Sequence, residues 1–223
     1  MKSDSSLNTT RMRCMIGWLG MALPWLVCLI LWLIPDSISA TYYTNAQAVF
    51  MIVLGSASFL LFSYKGYDRW DDLINCLAAV GGLMVCLFPC AVSDTHGIQG
   101  TFAFLSMGTS NTLHCVGAVI FFGMLSIDSL FRFTKTSGEM TPNKKKRNVI
   151  YRVCGIGMLI TFALLPIAMS GIIHWDSIVW FVEMVALLFF GISFLTKANR
   201  YTWLFADDPQ DVFAMIFSGS KKK

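Results

Sequence analysis

Charged side chains are scarce in this chain. Only 13% of its 223 residues are Asp, Glu, Lys or Arg, whereas 56% are hydrophobic. A soluble domain carries about 25% charged residues, so this chain has too few to cover a water-soluble globule. We therefore expect lipid, rather than water, around most of its surface.

The chain also lacks the motifs of soluble enzymes and of nucleic-acid-binding proteins. It contains no P-loop, no dinucleotide-binding fingerprint, no nucleophile elbow and no DNA-binding element. Its seven cysteines form no C-x-x-C pair, and in apolar stretches they pack as small hydrophobic residues. A disulfide between Cys90 and Cys115, near the ends of neighbouring predicted helices, is one alternative.

What the chain does contain is six long apolar stretches. Crossing about 30 Å of hydrocarbon takes about 20 residues, and each span must be a helix because lipid satisfies no backbone polar group. The predicted spans are residues 15–34, 46–63, 73–92, 113–132, 150–169 and 178–196. The sequence thus predicts an all-α polytopic transmembrane bundle of about six helices, forming a single domain over residues 1–223.

Basic residues are absent from three of the predicted loops, 35–45, 93–112 and 170–177. All 17 Lys and Arg residues fall on the other side of a six-span chain. The positive-inside rule then places the N-terminus and the C-terminus in the cytoplasm. The expected location is the bacterial inner membrane.

Two ionisable residues inside these spans are candidates for a function, because charge within a membrane is costly; Asp128 is near the cytoplasmic end of its span. Asp128 lies in the fourth span, and Arg132 follows four residues later on the same helix face, so the two are expected to pair. Glu183 lies about 8 Å inside the outer end of the sixth span, as counted from the helical rise. It is expected to be a hydrogen-bonded neutral carboxyl, or to face a polar cavity or a cation.

Other residues suited to ligand binding belong to the same outer half as Glu183. The candidate cavity residues are His114, Glu183, Asn111, Asp94 and Asp176. The candidate metal ligands are His96, His114 and His174. Histidine and carboxylate ligands suit zinc, the one cofactor that the sequence suggests, but no H-x-x-x-H or H-E-x-x-H pair is present. A zinc site and a metal-free polar cavity both remain open.

Small residues within the spans are expected to let helices approach closely. They are Gly81, Gly82, Gly117, Ala118, Gly155 and Gly157.

Several stretches from the second span onward resemble a pattern in uncharacterised bacterial six-helix membrane proteins of about this length. They are residues 64–68 with Asp71, Gly81-Gly82, Phe88-Pro89, Asn111 with His114, residues 147–155, and Glu183 with residues 190–193 and Lys197. More distantly, the chain is similar to membrane proteins of the damage-regulated autophagy modulator type, which also have a histidine opening a helix and a late intramembrane acid. The resemblance implies a six-helix fold and attention to His114 and Glu183, and it implies no activity.

Three functions remain open from the sequence. The leading one is a non-enzymatic membrane protein whose outward-facing polar cavity binds or moves a lipid or small solute, with His114 and Glu183 as titratable groups. The alternative is a metal-dependent membrane hydrolase acting on lipid, with Glu183 as general base, although the H-x-x-x-H pair of alkaline ceramidases is missing. The third is an oligomeric channel or membrane-perturbing effector, with Asn75, Ser126 and Asp128 lining a pore.

The expected partners follow from these functions. They are membrane lipids, a small solute or lipid ligand, and, for a channel, further copies of the same chain. Nucleic acid is not an expected partner.

Overall fold

The computed structural model describes residues 2–66, 68–92, 102, 104–136 and 138–207, with side chains from residue 8 onward. Its main elements are α1 (Lys2–Leu31), α2 (Gln47–Ser63), α3 (Arg69–Leu87), α4 (Met107–Ile127), α5 (Pro142–Met169) and α6 (Ile178–Ala198). A π-helical turn, Asp128–Arg132, continues α4, and short 3₁₀ helices cover Ser39–Tyr43 and Thr202–Leu204. Within the described residues there is no strand. The predicted all-α bundle is confirmed.

Five of these helices are long and apolar enough to cross a membrane. They are α1 from Asn8 onward, α3, α4 with its π-helical turn, α5 and α6. The apolar helix α2 is shorter, at 17 residues, which corresponds to about 25 Å of helical rise. The helices indicate an integral, multi-pass membrane protein. Which side of the membrane each terminus occupies stays a prediction.

Helix ends differ from the predicted spans where polar residues cap a helix. The side chain of Thr141 accepts a hydrogen bond from the backbone N–H of Lys144, and Pro142 occupies the first turn, so α5 begins before residue 150. The Asp68 carboxylate likewise accepts from two backbone N–H groups at the start of α3. Hydropathy misses these turns because their side chains are polar.

The six helices close into a ring in chain order, each packing on the next and α6 packing on α1. Glycines lie at two of the closest crossings. A Cβ on Gly81 of α3 would lie 2.7 Å from the carbonyl oxygen of Gly117 of α4, and one on Gly117 would lie 2.8 Å from that of Gly81. Gly17 of α1 and Gly191 of α6 face each other in the same way. The predicted role of Gly81 and Gly117 in close helix approach is confirmed.

Aromatic side chains fill the interior between α4, α5 and α6. Successive rings meet edge to face, with centroids between 5.1 and 5.8 Å apart. In order they are Phe121, Phe190, Phe194, Phe133 and Tyr151. This apolar column leads to the polar ends of α4 and α6.

The two ends of the bundle differ in charge. The start of α1 and segments 64–68, 132–141 and 199–207 form what we call the basic end. The described parts of segments 32–46, 88–106 and 170–177 form the opposite end. Every Lys and Arg whose side chain is described belongs to the basic end or to the helix turns beside it.

Candidate functional site

Glu183 of α6 binds the segment between α1 and α2 at the opposite end. Its carboxylate accepts hydrogen bonds from the hydroxyl of Ser37 (3.0 Å), the hydroxyl of Ser39 (2.8 Å) and the backbone N–H of Ile38 (2.5 Å). Three donors satisfy this carboxylate without a basic residue. Of the environments expected for Glu183, the structure shows hydrogen bonding within the bundle.

Four side chains bind the non-helical backbone that follows α3. The contacts are His114 Nδ1 with the Phe88 carbonyl (2.8 Å), Ser110 Oγ with the Pro89 carbonyl (2.9 Å), Tyr43 Oη with the Cys90 carbonyl (2.7 Å) and Asn111 Oδ1 with the Ala91 N–H (2.8 Å). Backbone groups that leave a helix inside a membrane need such partners. Thus His114 and Asn111 hold the end of α3 in place.

Burial also changes the pKa values of two groups at this end of the bundle. It raises the pKa of Tyr43 to about 12 and that of the Cys90 thiol to about 12. The tyrosine hydroxyl therefore stays protonated and can donate its hydrogen bond, and the thiol stays protonated as well. Cys90 and Cys115 are both free, so the disulfide alternative is not formed.

The remaining predicted residues at the opposite end are dispersed. His174 and Asp176 are exposed in segment 170–177, and Asp94 and His96 lie outside the described residues. Among the residues that the structure describes, no group of three or more His, Cys, Asp or Glu side chains is placed to hold a metal ion. The zinc site and the outward-facing cavity therefore stay predictions.

A network of ion pairs joins α3 to the end of α4 at the basic end. The Arg132 guanidinium binds the carboxylates of Asp68 and Asp71, and the Lys135 ammonium lies 3.2 Å from Asp68. The hydrogen bond from Arg132 holds the pKa of Asp68 well below its usual range. The predicted pairing of Asp128 with Arg132 is wrong, because the acids of the neighbouring helix lie within reach of the guanidinium.

A second network holds the segment after α6 against α5. The buried Arg147 guanidinium donates to the carbonyl oxygen of Phe205 and to the carboxylate of Asp207. Asp207 also accepts from the hydroxyl of Thr141, the residue that caps α5. Mainly because of the hydrogen bond from Arg147, the pKa of Asp207 lies below its ordinary value.

Lysines from two helices meet at the carbonyl oxygen of Phe133. The ammonium of Lys144 of α5 lies 2.7 Å from this oxygen, and that of Lys197 of α6 lies 3.4 Å from it. Lys197 is only 6% exposed, and its ammonium also lies 5.1 Å from the centroid of the Phe133 ring. Arg13 of α1 donates to the hydroxyl of Tyr64 and to the backbone carbonyl of Lys197.

Asp128 lies inside this end of the bundle and is 1% exposed. Neither of its carboxyl oxygens has a hydrogen-bond donor. The amide of Asn75 of α3 lies beside it without forming a well-oriented hydrogen bond. The hydroxyls of Ser129 and Ser193, 2.7 Å apart, join the π-helical turn to α6. We call Asn75, Asp128, Ser129, Ser193 and Lys197 the buried polar cluster.

The sequence indicated only part of this cluster. Asn75, Ser126 and Asp128 were predicted to line a pore, and the structure buries all three inside the bundle, each with at most 1% exposed. From the sequence, Lys197 was interpreted as a basic residue that sets topology and as part of the resemblance pattern, and no functional role was predicted for it. Its position in the last turn of an apolar helix, on the same side of the membrane as Asp128, was the available signal.

Comparison with known proteins leaves the family open. No family model, curated protein or solved structure matches the chain. The resemblance to bacterial six-helix membrane proteins therefore stays a prediction.

Proposed function

We propose that this integral membrane protein is a carrier, which binds a small polar solute at the buried polar cluster and moves it across the membrane. The observation behind the proposal is Asp128, a buried carboxyl with no hydrogen-bond donor inside a membrane-spanning helix. A polar group buried without a partner costs about 1–3 kcal/mol. Such residues inside membrane spans commonly belong to substrate or ion pathways.

The backbone at Asp128 also supports a binding role. The π-helical turn Asp128–Arg132 is closed by a hydrogen bond from the N–H of Phe133 to the carbonyl of Asp128. Turns of this kind are rare and often occur at functional sites. Here the turn places Asp128 next to Asn75 of α3 and Ser129 next to Ser193 of α6. Three helices therefore supply polar groups to one place.

The enclosure of the cluster favours a small solute over a lipid. Its members are between 0% and 6% exposed, so no side of the cluster is open to acyl chains. The ion pairs between Arg132 and the acids Asp68 and Asp71 join α3 to α4 at the basic end. In the proposed carrier these pairs separate when the site opens to that side, as the binding site is exposed to alternate faces.

The test is electrical recording from proteoliposomes adsorbed on a solid-supported membrane. A panel of small amino acids, carboxylates, sugars and amines is applied as concentration jumps to the wild type, to Asp128→Asn and to Glu183→Gln. Glu139→Gln serves as a matched control because Glu139 is an exposed acid at the basic end.

We expect transient currents for at least one solute class in the wild type and in Glu139→Gln, and at least a tenfold loss in Asp128→Asn. Loss in Glu183→Gln with retention in Asp128→Asn would overturn the proposed site and favour the outward-facing cavity. Sustained currents without any solute would indicate a channel. No current from any solute in the wild type would contradict the carrier.

A further inference from the structure

Three buried oxygen atoms in the cluster are acceptors without a donor: both carboxyl oxygens of Asp128 and the amide oxygen of Asn75. The orientation of the Asn75 amide follows from its nitrogen, which donates to the backbone carbonyl of Asp71 at 2.8 Å. Turning the amide over would set its oxygen against that carbonyl. Both Asp128 oxygens and the Asn75 amide oxygen are thus buried without a well-formed hydrogen bond from a donor, an arrangement that a membrane interior penalises.

One added proton on Asp128 supplies a donor to this group of acceptors. We propose that Asp128 binds a single exchangeable proton, that its O–H then donates to the amide oxygen of Asn75, and that this proton is the ion moved together with the solute. A hydronium ion supplies the proton, the carboxylate becomes a carboxylic acid, and water is the other product. The part of the proposal that concerns coupled movement rests on the carrier function proposed above.

Titratable groups approach Asp128, or Lys197 beside it, from every surrounding element. They are Arg13 of α1, Tyr64 after α2, Asp71 of α3, Arg132 of the π-helical turn, Lys144 of α5 and Lys197 of α6. A proton on Asp128 makes the carboxyl uncharged, which burial inside a membrane favours.

The same surroundings allow the proton to leave. Arg132 is engaged by Asp68 and Asp71, and the Lys197 ammonium, which lies 3.4 Å from the Phe133 carbonyl oxygen, interacts electrostatically with Asp128. When Asp128 is ionised, the positive charge of Lys197 stabilises it. Both protonation states are therefore accommodated, as an exchangeable site requires.

Infrared spectroscopy of the protein in lipid films tests the proton directly, because a protonated carboxyl has a C=O stretching band separate from those of carboxylates. The samples are the wild type, Asp128→Asn, Asn75→Leu and Glu183→Gln, each titrated with pH in H₂O and D₂O. Asp128→Asn is isosteric and uncharged, so we expect it to fold, and thermal melting checks this. Glu183 is the matched control, since it is an intramembrane acid that already has three donors.

We expect a carboxyl band in the wild type that disappears as the pH rises and that Asp128→Asn removes. Glu183→Gln should keep the band, and Asn75→Leu should shift it to higher frequency because the O–H loses its acceptor. Titrating carboxyl bands that are the same in the wild type and in Asp128→Asn would overturn the proposal. So would a spectrum of the Asp128 carboxylate that responds to sodium ions in place of pH, which would indicate a sodium site.

Because these spectra need no solute, the proton site and the carrier function can fail separately. A titrating Asp128 band without any solute current would retain the proton site and remove the coupled movement. Solute currents that do not change when a proton gradient is imposed would likewise contradict coupling, whatever the spectra show.

Discussion

The close packing of α3 against α4 is tested by replacing Gly117 with alanine. The added Cβ would lie 2.6 Å from the Cβ of Met84, 2.8 Å from the carbonyl oxygen of Gly81 and 3.2 Å from the backbone nitrogen of Val85. Two of these three atoms belong to the backbone of α3, which cannot move aside as a flexible side chain can. The two helices must therefore separate, and overpacking of this kind costs about 1–3 kcal/mol.

Gly123, in the same helix, provides the matched control. A Cβ at this position meets nothing within 4 Å, and alanine is the better helix former by about 1 kcal/mol. Gly123→Ala is expected to leave the free energy of unfolding unchanged or to raise it. The two variants should then differ by about 1–4 kcal/mol.

Thermal melting in detergent, followed by tryptophan fluorescence, measures this difference. For a chain of this length, 1 kcal/mol corresponds to about 2–4 °C in Tm, so Gly117→Ala should melt at least about 2 °C below Gly123→Ala. Equal melting temperatures would refute the packing argument. A lower Tm for both variants would show a general intolerance of alanine in α4.

Three further predictions follow from the described contacts. Glu183→Ala should lower the unfolding free energy by about 2–4 kcal/mol because three donors in segment 37–39 lose their acceptor. Glu183→Gln keeps one acceptor oxygen and should lose less, so equal melting of the two variants would contradict this anchoring. His114→Ala should cost about 1–3 kcal/mol by leaving a carbonyl at the end of α3 without a donor. Metal analysis of wild type and variant tests the zinc hypothesis in parallel, and near-stoichiometric zinc lost in the variant would contradict a purely structural role. Since Arg147 lowers the pKa of Asp207, their pair adds stability above about pH 3.9 that is lost as the pH falls through the lowered pKa. The difference in Tm between wild type and Asp207→Asn should therefore shrink on acidification, and a constant difference would rule out this linkage.

The sequence was sufficient to predict features that depend on local composition. The apolar stretches located the six α-helices of the described residues, and the glycines at 81 and 117 marked a helix crossing that the structure shows. Helix ends were less predictable: α5 begins at Pro142, among polar residues that hydropathy assigns to a loop. A cap depends on one side-chain hydrogen bond, and average hydropathy carries no information about it.

Side-chain partners were the part that the sequence predicted poorly. Four-residue spacing suggested that Arg132 pairs with Asp128, yet its partners are Asp68 and Asp71 on the adjacent helix. Four-residue spacing shows only which side chains can meet along one helix. Which acid on another helix lies within reach depends on which helices pack together. Asp128 has no hydrogen-bond donor because the guanidinium expected to pair with it binds Asp68 and Asp71.

By itself, the sequence determined that this is an integral multi-pass helical protein, because apolar length is a property of each segment alone. Only the tertiary structure decided that Glu183 anchors a backbone segment and that Asp128 lies unpartnered beside Asn75 and Lys197. Those relations join residues far apart in the chain. They arise because six helices close into one ring and bring polar groups from different helices to the same depth.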